Sequence, residues 1–346
     1  MMNALPLIGL AVVALAVAGV LYQSVGLARD ARRFPPPGKF VDVGGYRLHV
    51  LCRGDDAPTV VFESAIAATS LSWSRVQPEV ARFTSVCAYD RAGLGWSDQP
   101  TVPRTLARVV EDLYAAITNM HCPSPCVMVG HSFGAFVCLA YAAHYKQEVS
   151  GLVLVDPPSE WIPTNPRQVY LLRGAIQLSR LGGILARFGV VRACLALLTG
   201  GAPAVPRHFV KVFGPTTART LERLVGEVQK LPPEVHPMVQ AAWCQPKCFR
   251  AMADQLRVFQ EATEAAPVRC PSLRDVPLAV ISSADQPASV MASHEALART
   301  SSHGRHVVAS KSGHWVPFDE PELVVEAIRD VVETSRRMHP PKTPAT

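Results

Sequence analysis

Gly130-His131-Ser132-Phe133-Gly134 has the pattern G-x-S-x-G. An apolar run, Cys126-Val127-Met128-Val129, precedes it, and an Ala- and Leu-rich run from Ala135 to Tyr145 follows. Strand, sharp turn, helix is the setting in which a serine hydroxyl is held out as a nucleophile. The flanking glycines suit a turn where the chain passes close to itself. The N-terminus of the following helix aims free N–H groups at an oxyanion formed beside Ser132. The plain alternative is an ordinary Gly-flanked turn.

A serine hydroxyl needs a base, and that base needs an acid to fix its tautomer. Both should follow Ser132, in the order acid then histidine, on loops after later strands. Asp285 ends the run Leu278 to Ser283, and His314 lies beyond the run His306 to Ala309. With eleven histidines in the chain, it is this position that singles out His314. Asp285 is the expected acid. Asp156, which also ends a strand-like run, is the runner-up, and Asp275 precedes the Leu278 run. The backbone N–H of Phe133 and one near Ala65-Ile66 are the expected oxyanion donors. His131 should point away from the chemistry. Asp90 and Arg91, with Gly93 and Gly95, read as a structural turn in which the aspartate bonds backbone N–H groups.

Strand-like and helix-like runs alternate around these residues. Phe40 to Val43 and Tyr46 to Leu51 flank Gly44-Gly45 as a hairpin. Thr59–Phe62, Ser85–Tyr89, Leu152–Val155, Leu278–Ile281 and His306–Ala309 read as further strands. Helical patterns cover Ser72 to Phe83, Thr105 to Asn119 and a segment near His294. The last helix carries Leu323, Val324, Ala327, Ile328, Val331 and Val332 as an apolar stripe. Such alternation predicts a mostly parallel sheet with helices on both faces. Between Ser159 and Cys270 only helical runs occur (Val169 to Leu181, Thr217 to Lys230, Ala251 to Ala265), which predicts a helical cap inserted between two strands. The expected organisation is an apolar anchor and linker (1–37), core (38–158), cap (159–270), core (271–337) and tail (338–346).

Leu5 to Tyr22 is almost wholly apolar and long enough to cross a bilayer, and no charged side chain precedes Arg29. Arg29, Arg32 and Arg33 follow it, which favours an uncleaved anchor with the body on the cytoplasmic side. A cleaved signal peptide, with secretion of the body, is the competing reading. The net charge of +6 resides in the cap, where 14 Lys/Arg face 7 Asp/Glu. A solvated face accounts for this surplus more simply than contact with anionic lipid or an acidic substrate does. No nucleic-acid motif occurs. The nine cysteines, several in strand- or helix-like runs (Cys87, Cys126, Cys138), read as buried free thiols suited to a reducing compartment, with Cys244–Cys248 as one disulfide option.

Phe62-Glu63, Trp73, Tyr89 to Asp98, Val129 to Gly134, Leu152 to Asp156 and Ser312-Gly313-His314 together resemble the α/β-hydrolase superfamily, and more narrowly bacterial members with an N-terminal apolar anchor. The resemblance implies the α/β-hydrolase fold, with Ser132 as nucleophile, His314 as base, Asp285 as acid and the Phe133 and Ile66 amides as oxyanion donors. It implies no metal and no organic cofactor. Relatives place a glycine in the oxyanion loop, where this chain reads Glu63-Ser64-Ala65-Ile66-Ala67, so a positive φ at Ala65 would tilt that loop. The expected activity is carboxylic ester hydrolysis through an acyl-enzyme on a small-molecule acyl substrate; the membrane location points to lipid-like esters. Amidase, thioesterase, peptidase and carbon–carbon bond hydrolase activities share this machinery, and a non-catalytic binding protein on the same fold is the alternative from another class.

Overall fold

The computed structural model describes residues 4–158, 166–199, 228–265 and 273–338. Eight strands form one sheet: β1 (Lys39–Asp42), β2 (Arg47–Arg53), β3 (Val60–Glu63), β4 (Val86–Tyr89), β5 (Cys126–His131), β6 (Val149–Val155), β7 (Leu278–Ser283) and β8 (Gly304–Ala309). Their order is β1-β2-β4-β3-β5-β6-β7-β8. The pairs β1/β2 and β2/β4 are antiparallel, and all others are parallel. A parallel sheet buries both faces, which is why its central strands are apolar throughout rather than alternating. In β5, Cys126 and Met128 join the core on one face, while Val127 and Val129 join the other.

Helices cover both faces. On one lie α3 (Leu106–Asn119) and α4 (Phe133–His144). On the other lies α11 (Pro321–Met338), whose stripe of Val324, Ala327, Ile328, Val331 and Val332 is buried against Val127, Val129, Val153 and Val155. Periodicity over Ser72–Phe83 predicts one helix, but the chain forms a 3-10 turn (Ser70–Trp73) and a single turn, α2 (Gln77–Val80). Pro78 has no N–H to donate and sits at the start of α2, so a helix running through it would lose a rung. Trp73 is anchored instead by stacking on Phe62, with ring centroids 4.4 Å apart.

Between β6 and β7 stand α5 (Pro166–Arg187), α6 (Val190–Thr199), α7 (His236–Trp243) and α8 (Pro246–Ala265). Most of the predicted helix 217–230 lies outside the described residues. Helix α5 continues past Leu181 through Gly182-Gly183. These glycines do not break it; they admit the Phe249 ring of α8, with which a Cβ on Gly182 would collide. Helix α9 (Ala288–Ala298) follows β7, and α10 (Val316–Asp319) precedes α11.

At the N-terminus, α1 (Ala4–Arg33) is long and apolar enough to cross a membrane, with a mean hydropathy of 2.1 over its apolar window and only 6% of that window buried. Its C-terminal half packs on the inserted helices. Gln23 is buried, donating to the Cys244 carbonyl at 2.7 Å and accepting from Arg192 Nε at 3.0 Å. Arg192 also pairs with Asp30 at 2.8 Å.

The cysteine expectation needs correction. Cys52 and Cys87 face each other across β2 and β4 and form a disulfide. That removes Cys87 from the free thiols on which the reducing-compartment expectation rests. Cys244 and Cys248 are buried free thiols, not a disulfide.

Candidate active site

Ser132 is the residue between β5 and α4, with φ 54° and ψ −118°. That left-handed backbone is costly for a residue with a Cβ and is kept only where its surroundings enforce it. Both flanking glycines are required by close approach: a Cβ on Gly130 would collide with the start of α4, and one on Gly134 with the carbonyls of Glu63 and Ser64.

Asp156 stands at the same level on the neighbouring strand. His131 and Val155 are register partners in β5 and β6, and Ser132 and Asp156 are the next residues of each. Asp156 also has a positive φ, 44°. This turn aims its carboxylate at His314, whose Nδ1 donates to Asp156 Oδ2 at 2.6 Å. The Ser283 backbone N–H donates to Oδ1 at 3.0 Å, and Gln286 Nε2 lies 2.9 and 2.8 Å from the two oxygens. Burial opposes ionisation of Asp156, but the His314 and Ser283 hydrogen bonds outweigh it and hold the carboxyl below its ordinary pKa.

The acid expected from the sequence was Asp285. The structure gives the Nδ1 hydrogen of His314 to Asp156, and Asp285 accepts from the Ser283 hydroxyl at 2.8 Å. The same hydroxyl lies 3.2 Å from Asp156 Oδ2, so its single hydrogen is shared between two carboxylates, with the shorter contact to Asp285. The physical reason for the correction is the left-handed turn at Asp156, which the residue type tolerates but no spacing announces.

With Nδ1–H directed at Asp156, Nε2 is the ring nitrogen left to accept a proton. Ser132 and His314 line one cavity of about 280 Å³ with Ile66, Phe133, Phe259 and Val290. Phe133 and Ile66, the expected oxyanion donors, thus share that cavity with Ser132. His131 lies behind His314. Its Nε2 donates to the His314 carbonyl at 2.7 Å, and the two rings are 5.0 Å apart. Burial pushes the His131 ring down to about 3, and the neighbouring His314 adds to this, so His131 stays neutral and structural.

The oxyanion loop is not strained at Ala65. The left-handed residue is Ala67, φ 57°, whose N–H donates to Gln255 Oε1 of α8 at 2.9 Å. Arg91 clamps the loop from below: its guanidinium pairs with buried Glu63 and donates to the carbonyls of Ser64 and Ala65. Burial pushes Glu63 upward and Arg91 draws it back. Asp90 acts as expected in the turn, accepting from the Ser70 and Trp96 backbone N–H groups at 2.8 and 3.1 Å. It also meets His49 Nδ1 at 3.0 Å. The sequence reading missed Arg91 as a loop clamp, as well as Gln255 and Gln286. The pairing of Arg91 with Glu63 had only one trace in the sequence, an ionisable residue at the end of one apolar strand and another two residues past the end of a second.

A family model described as the alpha/beta hydrolase fold matches residues 58–196. The chain is 30% identical over 120 residues to YqjL of Bacillus subtilis, covering 34% of this chain and 47% of that one, so it matches about half the length of that relative. It is 25% identical over 300 residues to an AB hydrolase superfamily protein of Gibberella zeae, covering 81% of this chain and 87% of that one. Among solved structures, a thermophilic esterase of Thermogutta terrifontis superposes with a TM-score of 0.56 at 19% identity, over 84% of this chain and 94% of that one. The serine turn between β5 and α4, the mostly parallel eight-stranded sheet and these likenesses agree, and the chain has the α/β-hydrolase fold.

Proposed function

We propose that this protein is a serine hydrolase of carboxylic esters. The observation that carries the reading is the left-handed Ser132 at the level of Asp156, sharing a cavity with a His314 already hydrogen-bonded to that acid. Ser132 Oγ attacks the acyl carbon while His314 Nε2 takes its proton. The backbone N–H groups of Phe133 and Ile66 receive the oxyanion. His314 returns the proton to the leaving alcohol oxygen, and the C–O ester bond breaks. It then takes a proton from water, whose oxygen attacks the acyl-enzyme carbon; the bond to Ser132 Oγ breaks, His314 returns the proton to that oxygen, and the carboxylic acid leaves. Asp156 orients the ring and stabilises its charged form. Apolar Ile66, Phe133, Phe259 and Val290 suit an aliphatic acyl chain. Helix α1 anchors the body to a membrane, and Arg29, Arg32 and Arg33 after its apolar run support a cytoplasmic body.

Hydrolysis of short- and long-chain p-nitrophenyl esters by the detergent-solubilised full chain and its Ser132→Ala variant tests this. The full chain is the right material because α1 packs on the body through Gln23 and Asp30. Loss of about 10³-fold or more in the variant is expected. Equal rates from both proteins contradict the reading.

A further inference from the structure

Helix α5 has its apolar residues on the wrong side for a helix facing water. Ile176, Ser179 and Ala186 are buried, yet on the opposite face Tyr170, Leu171, Leu178, Leu181 and Ile184 are 46–77% exposed. A soluble surface helix places polar residues there. Arg173, Arg180 and Arg187 recur every seven residues along one edge of this apolar face and are exposed. Beside them, a cavity of about 460 Å³ opens between α1, α5 and α8. Arg180, Arg187, Lys247 and Arg250 line it with one carboxylate, Asp254. Lys247 donates to the Ser97 carbonyl at 2.7 Å and Arg250 to the Gln99 side chain at 3.0 Å, both neutral acceptors. Arg180 and Arg187 have no hydrogen-bond or ion-pair partner among the described residues. Asp254 is 3.6 Å from Arg257. The cavity is therefore a concentration of positive charge with no carboxylate bonded to any of its four cations among the described residues.

The depth of this face follows from α1. The apolar span begins at Pro6, and Gly19 abuts the Phe188 carbonyl at the turn from α5 to α6. Thirteen residues of helix rise about 20 Å, less than the ~30 Å of a hydrocarbon core. Tyr22 lies against Gly189 one turn further along. An α1 that spans the bilayer therefore carries the end of α5 into the far leaflet, within about 10 Å of the boundary between hydrocarbon and headgroups. The basic surplus of the inserted region complements an anionic leaflet.

We propose that α5 lies in the headgroup boundary of the bilayer that holds α1, with its apolar face immersed. The cavity of Arg180, Arg187, Lys247 and Arg250 takes the phosphate of an anionic phospholipid. This rests on α1 as a membrane anchor and not on ester hydrolysis. It puts the inserted helices beside the lipid phase, so an acyl substrate reaches Ser132 from the membrane.

Hydrogen exchange on the full chain tests this in detergent, in phosphatidylcholine vesicles and in vesicles that also contain phosphatidylglycerol. Retention on the vesicles after alkaline carbonate reports α1 separately. The α5 amides are expected to exchange several-fold more slowly in lipid than in detergent, and slowest with phosphatidylglycerol. Arg180→Glu/Arg187→Glu should remove the phosphatidylglycerol-dependent part. Leu178→Asp/Leu181→Asp should remove protection in both lipids, while exchange in the sheet stays unchanged as the folding control. Unchanged α5 exchange in carbonate-resistant protein overturns the proposal while leaving the anchor. Release by carbonate overturns the anchor and the proposal together, and ester hydrolysis is untouched by either result. Equal protection by inorganic phosphate in detergent, or protection that follows protein concentration, overturns it in favour of a soluble anion or a second copy.

Discussion

The His314 Nδ1 atom lies 2.6 Å from Asp156 Oδ2, and that carboxylate hangs from the strand next to the one that carries Ser132. Ser132 and Asp156 are level because each follows a member of the His131–Val155 register pair, and both have left-handed backbones. Parallel pairing, rather than a long loop, fixes their separation, so the acid is held as rigidly as the sheet.

The Asp156→Asn variant should lower kcat on a p-nitrophenyl ester by about 10³- to 10⁴-fold with little change in KM, because an amide favours the wrong His314 tautomer. Asp285→Asn should stay within about tenfold of the parent, since its carboxylate is linked to Asp156 through the Ser283 hydroxyl. Steady-state kinetics of the two variants side by side checks this, and the reverse ranking contradicts it.

His131 couples stability to acid. Its folded pKa is depressed to about 3, whereas an unfolded histidine takes a proton near 6.5. Its contribution is thus fully present above about pH 6.5 and is lost as pH falls, by about 1.4 kcal/mol per pH unit. His131→Asn loses the hydrogen bond to the His314 carbonyl and should be less stable at pH 7.5, with the gap narrowing on acidification. Unfolding of both proteins at pH 7.5 and pH 5 measures it; a gap independent of pH contradicts the account.

The Glu63–Arg91 pair is buried under the oxyanion loop. Arg91→Met leaves the Glu63 carboxylate unpaired and should destabilise by about 3–5 kcal/mol. The double variant Glu63→Gln/Arg91→Met should recover part of that loss, because no charge is then stranded. Activity should stay low in both, because the carbonyls of Ser64 and Ala65 have lost their donor. A double-mutant cycle with additive losses contradicts this.

The fold, and the meeting of Ser132 and His314 in one cavity, were legible because each rests on a local pattern. Ser132 sits in a strand–turn–helix with two glycines, and His314 follows the last strand. The apolar stripe of α11 announced its buried face in the same way. The acid was not legible because Asp156 and Asp285 both end strands. The choice turns on one backbone angle and on Gln286 and Ser283, which reach Asp156 from the neighbouring strand β7 and the turn after it. Pairings between distant segments, such as Arg91 with Glu63 or Cys52 with Cys87, have no periodicity to betray them. The outward apolar face of α5 was hidden for another reason: periodicity alone cannot tell a face buried in protein from one buried in lipid.

Gly134→Ala tests how tightly the turn is packed. The added Cβ would strike the backbone carbonyls of Glu63 and Ser64, which cannot rotate away. It should displace the loop carrying Ile66 and lower kcat by about 10²- to 10³-fold, the scale of losing an oxyanion donor. Gly174→Ala, on α5 with open space around it, is the control and should stabilise by about 0.5–1 kcal/mol without changing kcat.

The central claim is that Ser132 is a nucleophile activated by the His314–Asp156 pair. The most direct measurement is the rate of covalent modification by a serine-directed fluorophosphonate, with the adduct located by peptide mass. The account predicts a single adduct on Ser132, none in Ser132→Ala, and labelling at least about 10²-fold slower in Asp156→Asn than in Asp285→Asn. An adduct on another residue, or normal labelling of Asp156→Asn, would contradict it.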